Sequence, residues 1–169
     1  MSPSRWEEFR CGRALLRTAV AEFTGGSPER VRIEATAGGG PVCASHRELG
    51  VSVSHSSGRI AVAVAAGAAV GVDVQLPVPV SQSLLSAYGI AGPEPGTGWV
   101  DGRRYAFASA WSVRESCVKA LGAGIGRGLR SIPVPAGATD GHWGAVHWHR
   151  LPDFDGCPAA LALCERRPH

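Results

Sequence analysis

Lysine is almost missing from this chain: of seventeen basic residues sixteen are arginine, and Lys119 alone is lysine. Missing too is any uninterrupted apolar window of the roughly 18 residues that a membrane helix needs. The longest apolar run, Ile60 to Val74, contains two glycines and Asp73, and reads as a pair of strands. The N-terminus, MSPSRWEEFRCGR, carries two glutamates and has no apolar h-region, so no signal peptide is expected. No C-x-x-C pair occurs among Cys11, Cys43, Cys117, Cys157 and Cys164. Their scatter and odd number argue for reduced thiols in a cytoplasm over a disulfide or zinc framework. Strong charge is lacking as well. A net charge of +3 and a pI near 8.8 fall short of a nucleic-acid binder and suit a small anionic ligand or an acidic protein partner.

What is present fits a globular protein, with 44% hydrophobic and 18% charged residues. A chain of 169 residues is expected to form one compact unit, or two tightly fused halves, burying roughly 70% of its unfolded surface. The pattern Ser4-x-x-Glu7 predicts a capping box opening a helix over residues 4–23, with Phe9, Leu16, Val20 and Phe23 at helical spacing and Gly25-Gly26 as the stop. Arg10, Arg13 and Arg17 stripe its other side, either as a solvated face or as a phosphate-binding edge. A strand is expected over 31–36, broken by Gly38-Gly39-Gly40-Pro41, which has neither P-loop nor dinucleotide-fold spacing. Two alternating segments then meet at Ser56-Ser57-Gly58 and predict a hairpin with Ser54, His55 and Ser56 at its mouth.

A further buried strand, 69–75, presents Asp73, and a carboxylate there needs a partner or a cation. Prolines and glycines from 77 to 102 surround a short helical piece, Ser81 to Tyr88, and mark a partner-facing loop. A second long helix is expected over 103–121, followed by a glycine-rich exit at 124–128, a strand over 143–149, a last strand over 159–164 and a tail. His147 and His149 share one side of their strand, but no third metal ligand is near them in sequence, so a solvated sheet face is expected. Each half thus offers one long helix and a few strands, an echo of pattern without sequence identity.

On the second helix Trp111, Glu115 and Lys119 fall at successive i, i+4 positions. Alone this is an ordinary ion pair. Together with Ser54-His55 and Val70-Gly71-Val72-Asp73, however, the run W-S-V-R-E-S-C-V-K resembles the 4'-phosphopantetheinyl transferase superfamily, of the two-lobed type. That family's pattern is a Ser-His pair, then V-G-V/I-D, then W/F-S/T-x-K-E-A/S-x-x-K, and the resemblance covers roughly Leu15 to Leu129.

The resemblance implies an α+β fold of two similar lobes related by a pseudo-twofold, each a long helix on a small, mainly antiparallel sheet, with the site between them. Residues 1–75 would form one lobe and 76–169 the other. It also implies magnesium-dependent transfer of the phosphopantetheine arm of coenzyme A to a serine of an apo acyl or peptidyl carrier protein. Asp73, Glu115 and Lys119 would be catalytic, and Asp73, Glu115 and Gln75 would bind the metal. Arg13, Ser54, His55, Arg114 and Lys119 would contact coenzyme A. A cytoplasmic monomer is implied, with residues 76–102 facing an acidic carrier and no nucleic acid or membrane as partner. Three positions depart from the pattern: Gln75 replaces a second acid, Arg114 a lysine and Gly40 a lysine. They leave open a non-catalytic or repurposed member that binds coenzyme A or a carrier. A serine hydrolase is disfavoured, because adjacent strand residues face opposite ways and no G-x-S-x-G elbow is present.

Overall fold

A computed structural model describes residues 3–90, 99–122 and 128–165. The first helix, α1 (Pro3–Thr24), begins at Pro3, so Ser4 is already helical and not the cap that its spacing to Glu7 predicts. It ends as a Schellman turn: Gly25 is left-handed at φ 69, Gly26 N–H donates to Ala21 O at 2.9 Å and Gly25 N–H to Glu22 O at 3.4 Å. Of the expected apolar face only Leu16 and Val20 are buried, while Phe9 and Phe23 are 41% and 54% exposed. The helix instead rests on the sheet through a small residue, Gly12, where an added Cβ would lie 3.0 Å from Val53 Cγ2.

Two antiparallel hairpins follow. Strands β1 (Ile33–Ala35) and β2 (Pro41–Cys43) flank the triple-glycine loop, and β3 (Leu49–Ser56) pairs with β4 (Arg59–Ala66). The second turn has φ 49 at Ser57 and φ 80 at Gly58, the positive pair that matches the twist of its strands. Strand β5 (Ala68–Val74) then leads to the short helix α2 (Gln82–Ala87), whose cap Ser81 accepts from Leu84 N–H at 3.2 Å. The second long helix, α3 (Trp99–Ala120), starts a turn earlier than expected.

The expected strand over 143–149 is two strands, β6 (Asp140–Trp143) and β7 (Val146–Phe154), reversing at Gly144-Ala145. A hairpin at Asp155-Gly156 then leads into β8 (Cys157–Glu165). The exit at 123–127, the loop segment 91–98 and the tail from 166 lie outside the described residues.

The protein is therefore α+β, with three α-helices among the described residues and small antiparallel sheets. The four-stranded sheet runs β5-β8-β7-β6, so β5 from the first half of the sequence is hydrogen-bonded to the last strand, with Asp73 opposite Ala160. Helix α3 packs Val113, Cys117 and Val118 onto Val146, Trp148, Ala160 and Ala162 of that sheet, all of them buried. A second core joins Val20 and Ala21 of α1 to Val31, Cys43 and Leu49. No helix among the described residues is long and apolar enough to cross a membrane.

Strands β3 and β5 lie side by side without a backbone ladder, β3 in the two-stranded sheet and β5 at the edge of the four-stranded one. Ser52, Ser54 and Ser56, on one side of β3, accept from the N–H groups of Val72, Val74 and Leu76 at 3.1, 3.3 and 3.0 Å. Hydroxyls therefore satisfy the edge of β5 that faces away from β8, an edge whose amides would otherwise be buried without partners.

Candidate functional site

The glycine of the V-G-V-D run decides where the site forms. A Cβ at Gly71 would stand 1.9 Å from Ser116 O and 2.6 Å from Ala120 N, so only glycine lets β5 lie directly against the α3 backbone. Alternation places Asp73 two residues along the same face. There Lys119 Nζ donates to Asp73 Oδ1 at 2.6 Å and to Val72 O at 3.0 Å. Ser54 Oγ, held by Val74 N–H, donates to the same Oδ1 at 2.7 Å. Glu115 lies one helical turn before Lys119 on α3 and is buried, with 5% of its surface exposed.

Both carboxyls are pushed above their usual range. For Asp73 burial is the largest cause, opposed by the Lys119 ammonium and by the bonds from Lys119 and Ser54. For Glu115 burial again leads, reinforced by the negative charge of Asp73 and opposed by Lys119. Asp73 Oδ2 is buried without a hydrogen-bond partner among the described residues. Two acids, one of them with an orphaned oxygen, exceed the single ammonium, an imbalance that a proton or a bound cation would relieve.

Among the described residues no group of three or more His, Cys, Asp or Glu side chains is arranged to hold a metal ion. Magnesium does not require one, because it keeps several waters and takes one or two carboxylates plus substrate phosphates. The donor chemistry of Asp73 and Glu115 fits that ion.

The other expected site residues are not gathered to this point. His55, next to Ser54, faces the opposite way and pairs with Glu8 of α1 at 3.2 Å; the same carboxylate accepts from Gly58 N–H at 2.9 Å. Arg13 donates to Glu34 O at 3.0 Å and lies over the Phe9 ring at 5.2 Å. Gln75 turns its amide to Leu76 O at 3.3 Å. Arg114 is 4% exposed and bonds Tyr88 O at 2.9 Å and Ile132 O at 3.3 Å, clamping the segment after α2 onto α3. Successive helix residues are about 100° apart, so Arg114 cannot share the face of Glu115.

Sequence reasoning missed the task of Ser52 and Ser56, although their alternation with Ser54 is visible in the chain. It also missed Glu8, which has no pattern to mark it. A cleft of about 320 Å3 lined by Ile60, Val74, Leu151, Phe154 and Ala159 is apolar and lacks the three charged residues. No known family model and no curated protein matches this chain.

Proposed function

We propose that the chain is a 4'-phosphopantetheinyl transferase, moving the phosphopantetheine arm of coenzyme A to a serine of an apo acyl or peptidyl carrier protein and releasing 3',5'-ADP. The observation that carries this reading is the Asp73–Lys119 pair where β5 touches α3 through Gly71, with the buried Glu115 one helical turn from Lys119 and within electrostatic reach of both. In this reading residues 1–75 and 76–169 are two pseudo-twofold lobes with the site at their interface, and the protein works as a cytoplasmic monomer.

Asp73, through Oδ2, and Glu115 would hold Mg2+, with the Gln75 side-chain carbonyl as a further oxygen donor. When bound, the ion neutralises charge on the pyrophosphate of coenzyme A. Lys119 is the one ammonium in the chain and adds a point charge at the same place. Ser54 and the Val72 carbonyl orient Asp73 and Lys119 before any ligand arrives. Glu115 takes the proton of the carrier serine as its oxygen bonds to phosphorus and the bond to ADP breaks. Arg13 and His55 bind the nucleotide phosphates, giving up the surface carbonyl and carboxylate they now touch.

A second reading, a non-catalytic member that binds coenzyme A or a carrier, is favoured by one observation: the Gln75 and Arg114 side chains are engaged with backbone carbonyls instead. Incubation with coenzyme A, Mg2+ and an apo carrier protein separates the two. A carrier mass increased by one phosphopantetheine arm, and not so increased by Glu115→Ala, is the expected result. No gain on several carriers refutes the transferase.

A further inference from the structure

We propose that the outer face of the β6–β7 hairpin is a transition-metal ion site built from His142, His147 and His149, with Asp140 beside them. The hairpin supplies the third imidazole by folding His142, five residues before His147 in sequence, back beside it. In its register His142 stands directly opposite His147, and Asp140 opposite His149. Residues 140 and 142, like 147 and 149, are two apart, so all four share one face. The other face belongs to the core: Trp148 and Val146 are 1% and 0% exposed, and a Cβ at Gly141 would collide with the Trp148 ring at 2.5 Å.

The rings form a continuous cluster. His142 and His147 centroids are 4.2 Å apart with planes 6° from parallel, and His147 and His149 are 4.2 Å apart at 65°. None of the three imidazoles makes a hydrogen bond or ion pair with another described residue, so their nitrogens are uncommitted.

Stacked rings do not aim their nitrogens at one point, and no group of three among the described residues does so as it stands. His142 is exposed and the other two are half-buried, so the side-chain bonds have room to rotate, and the site we propose forms when they turn their nitrogens toward a common ion. Three neutral imidazoles with an open fourth position are the ligand set of a zinc site that retains a water. Imidazole selects zinc, copper or nickel, and magnesium prefers oxygen. In the sheet β7 is two strand spacings, about 10 Å, from β5 and β6 three, about 14 Å, and the histidines lie on the face opposite Trp148 and α3, so this site is independent of the carboxylates there.

The test is titration of metal-stripped full-length protein with Zn2+ against a chromogenic chelator, in excess Mg2+ to occupy oxygen sites. One zinc per chain is expected, with the imidazole signals of all three histidines shifting together in NMR spectra. Since loss of even an outer-shell partner weakens metal affinity about 10–100-fold, His142→Ala and His147→Ala should each weaken binding at least about tenfold. Both substitutions are at solvent-accessible positions and should leave the thermal melt unchanged. Glu115→Gln should bind zinc as the wild type does. Absence of zinc binding, equal affinity in the histidine variants, or loss of binding in Glu115→Gln overturns the proposal.

Discussion

Replacing Gly71 by alanine tests the claim that the site exists because strand and helix touch. The new methyl would lie 1.9 Å from Ser116 O, 2.6 Å from Ala120 N and 2.9 Å from Lys119 Cβ. The first two are backbone atoms of α3 and have no rotamer to change. Since Cβ contacts essentially never close below 3.0 Å, β5 and α3 must part by about 1 Å at this point. Overpacking against backbone sits at the upper end of its usual cost, about 3 kcal/mol. For a chain of this size that corresponds to a melting temperature lower by about 6–12 °C.

The same displacement pulls Asp73 away from Lys119, and a misplacement of about 1 Å costs about 100-fold in rate. Gly50→Ala is the control. Its methyl would meet Ala68 O at 2.2 Å, at the opposite end of β5 from Asp73. It should lower the melt and spare carrier loading below that temperature. A Gly71→Ala protein with wild-type melting and loading refutes the reasoning; equal loss of loading in both variants shows that only global stability was at stake.

Glu115→Gln should stabilise the protein while abolishing loading. Because the folded carboxyl is raised, the stability it contributes is complete below the ordinary carboxylate pKa and is lost as pH rises through the raised value. The glutamine melt should therefore match wild type in acid and exceed it progressively above the carboxylate range; equal melts at pH 8 contradict this. Lys119→Met strands the Asp73 carboxylate, a loss of about 3–5 kcal/mol in urea denaturation at neutral pH that shrinks in acid as Asp73 takes up a proton. An unchanged urea midpoint at neutral pH rejects the pair as structural. If α2 docks the carrier, Leu84→Asp should raise the KM for carrier without moving the melt, since Leu84 is 37% exposed. An unchanged KM excludes that surface. Its neighbour Leu85 is 0% exposed and unsuitable for the purpose, because a polar residue there attacks the fold.

The helices and the first long hairpin were legible because their signals are local. Glycine pairs stop helices, and Ser57-Gly58 supplies the positive φ values that a two-residue turn requires. The β6–β7 reversal was invisible for a related reason. Gly144-Ala145 is not one of the Asn-Gly or Asp-Gly pairs that announce a two-residue turn, and its one trace is a phase shift that puts Trp143 and Val146, partners across the hairpin, on the same face. At Asp155-Gly156 the hairpin signal was present in the sequence, with φ 51 and 72, but prolines at 152 and 158 obscured the flanking strands.

The shared face of Glu115 and Lys119 is legible from their i, i+4 spacing, whereas Asp73 reaches Lys119 only through the close approach of strand and helix at Gly71. Arg114 and His55, which adjoin Glu115 and Ser54 in sequence, point elsewhere. On a helix or a strand the adjacent residue belongs to another face. Phe9 and Phe23 share one narrow stripe of α1 with Leu16 and Val20, yet remain exposed, so burial ends along the helix axis and not around it, which spacing alone does not show.

The serine contacts give β5 two unlike edges. Toward β8 its amides meet backbone carbonyls, as Gln75 N–H does with Pro158 O at 3.0 Å. Toward β3 they meet hydroxyls that can turn away independently. In solvent deuterium the strand should exchange in alternation: slowly at Gly71, Asp73 and Gln75, faster at Val72, Val74 and Leu76. Uniform protection would mean that the hydroxyl edge is as firm as the ladder. Alternating protection would mark β3 against β5 as the line along which the two-stranded and four-stranded sheets first separate.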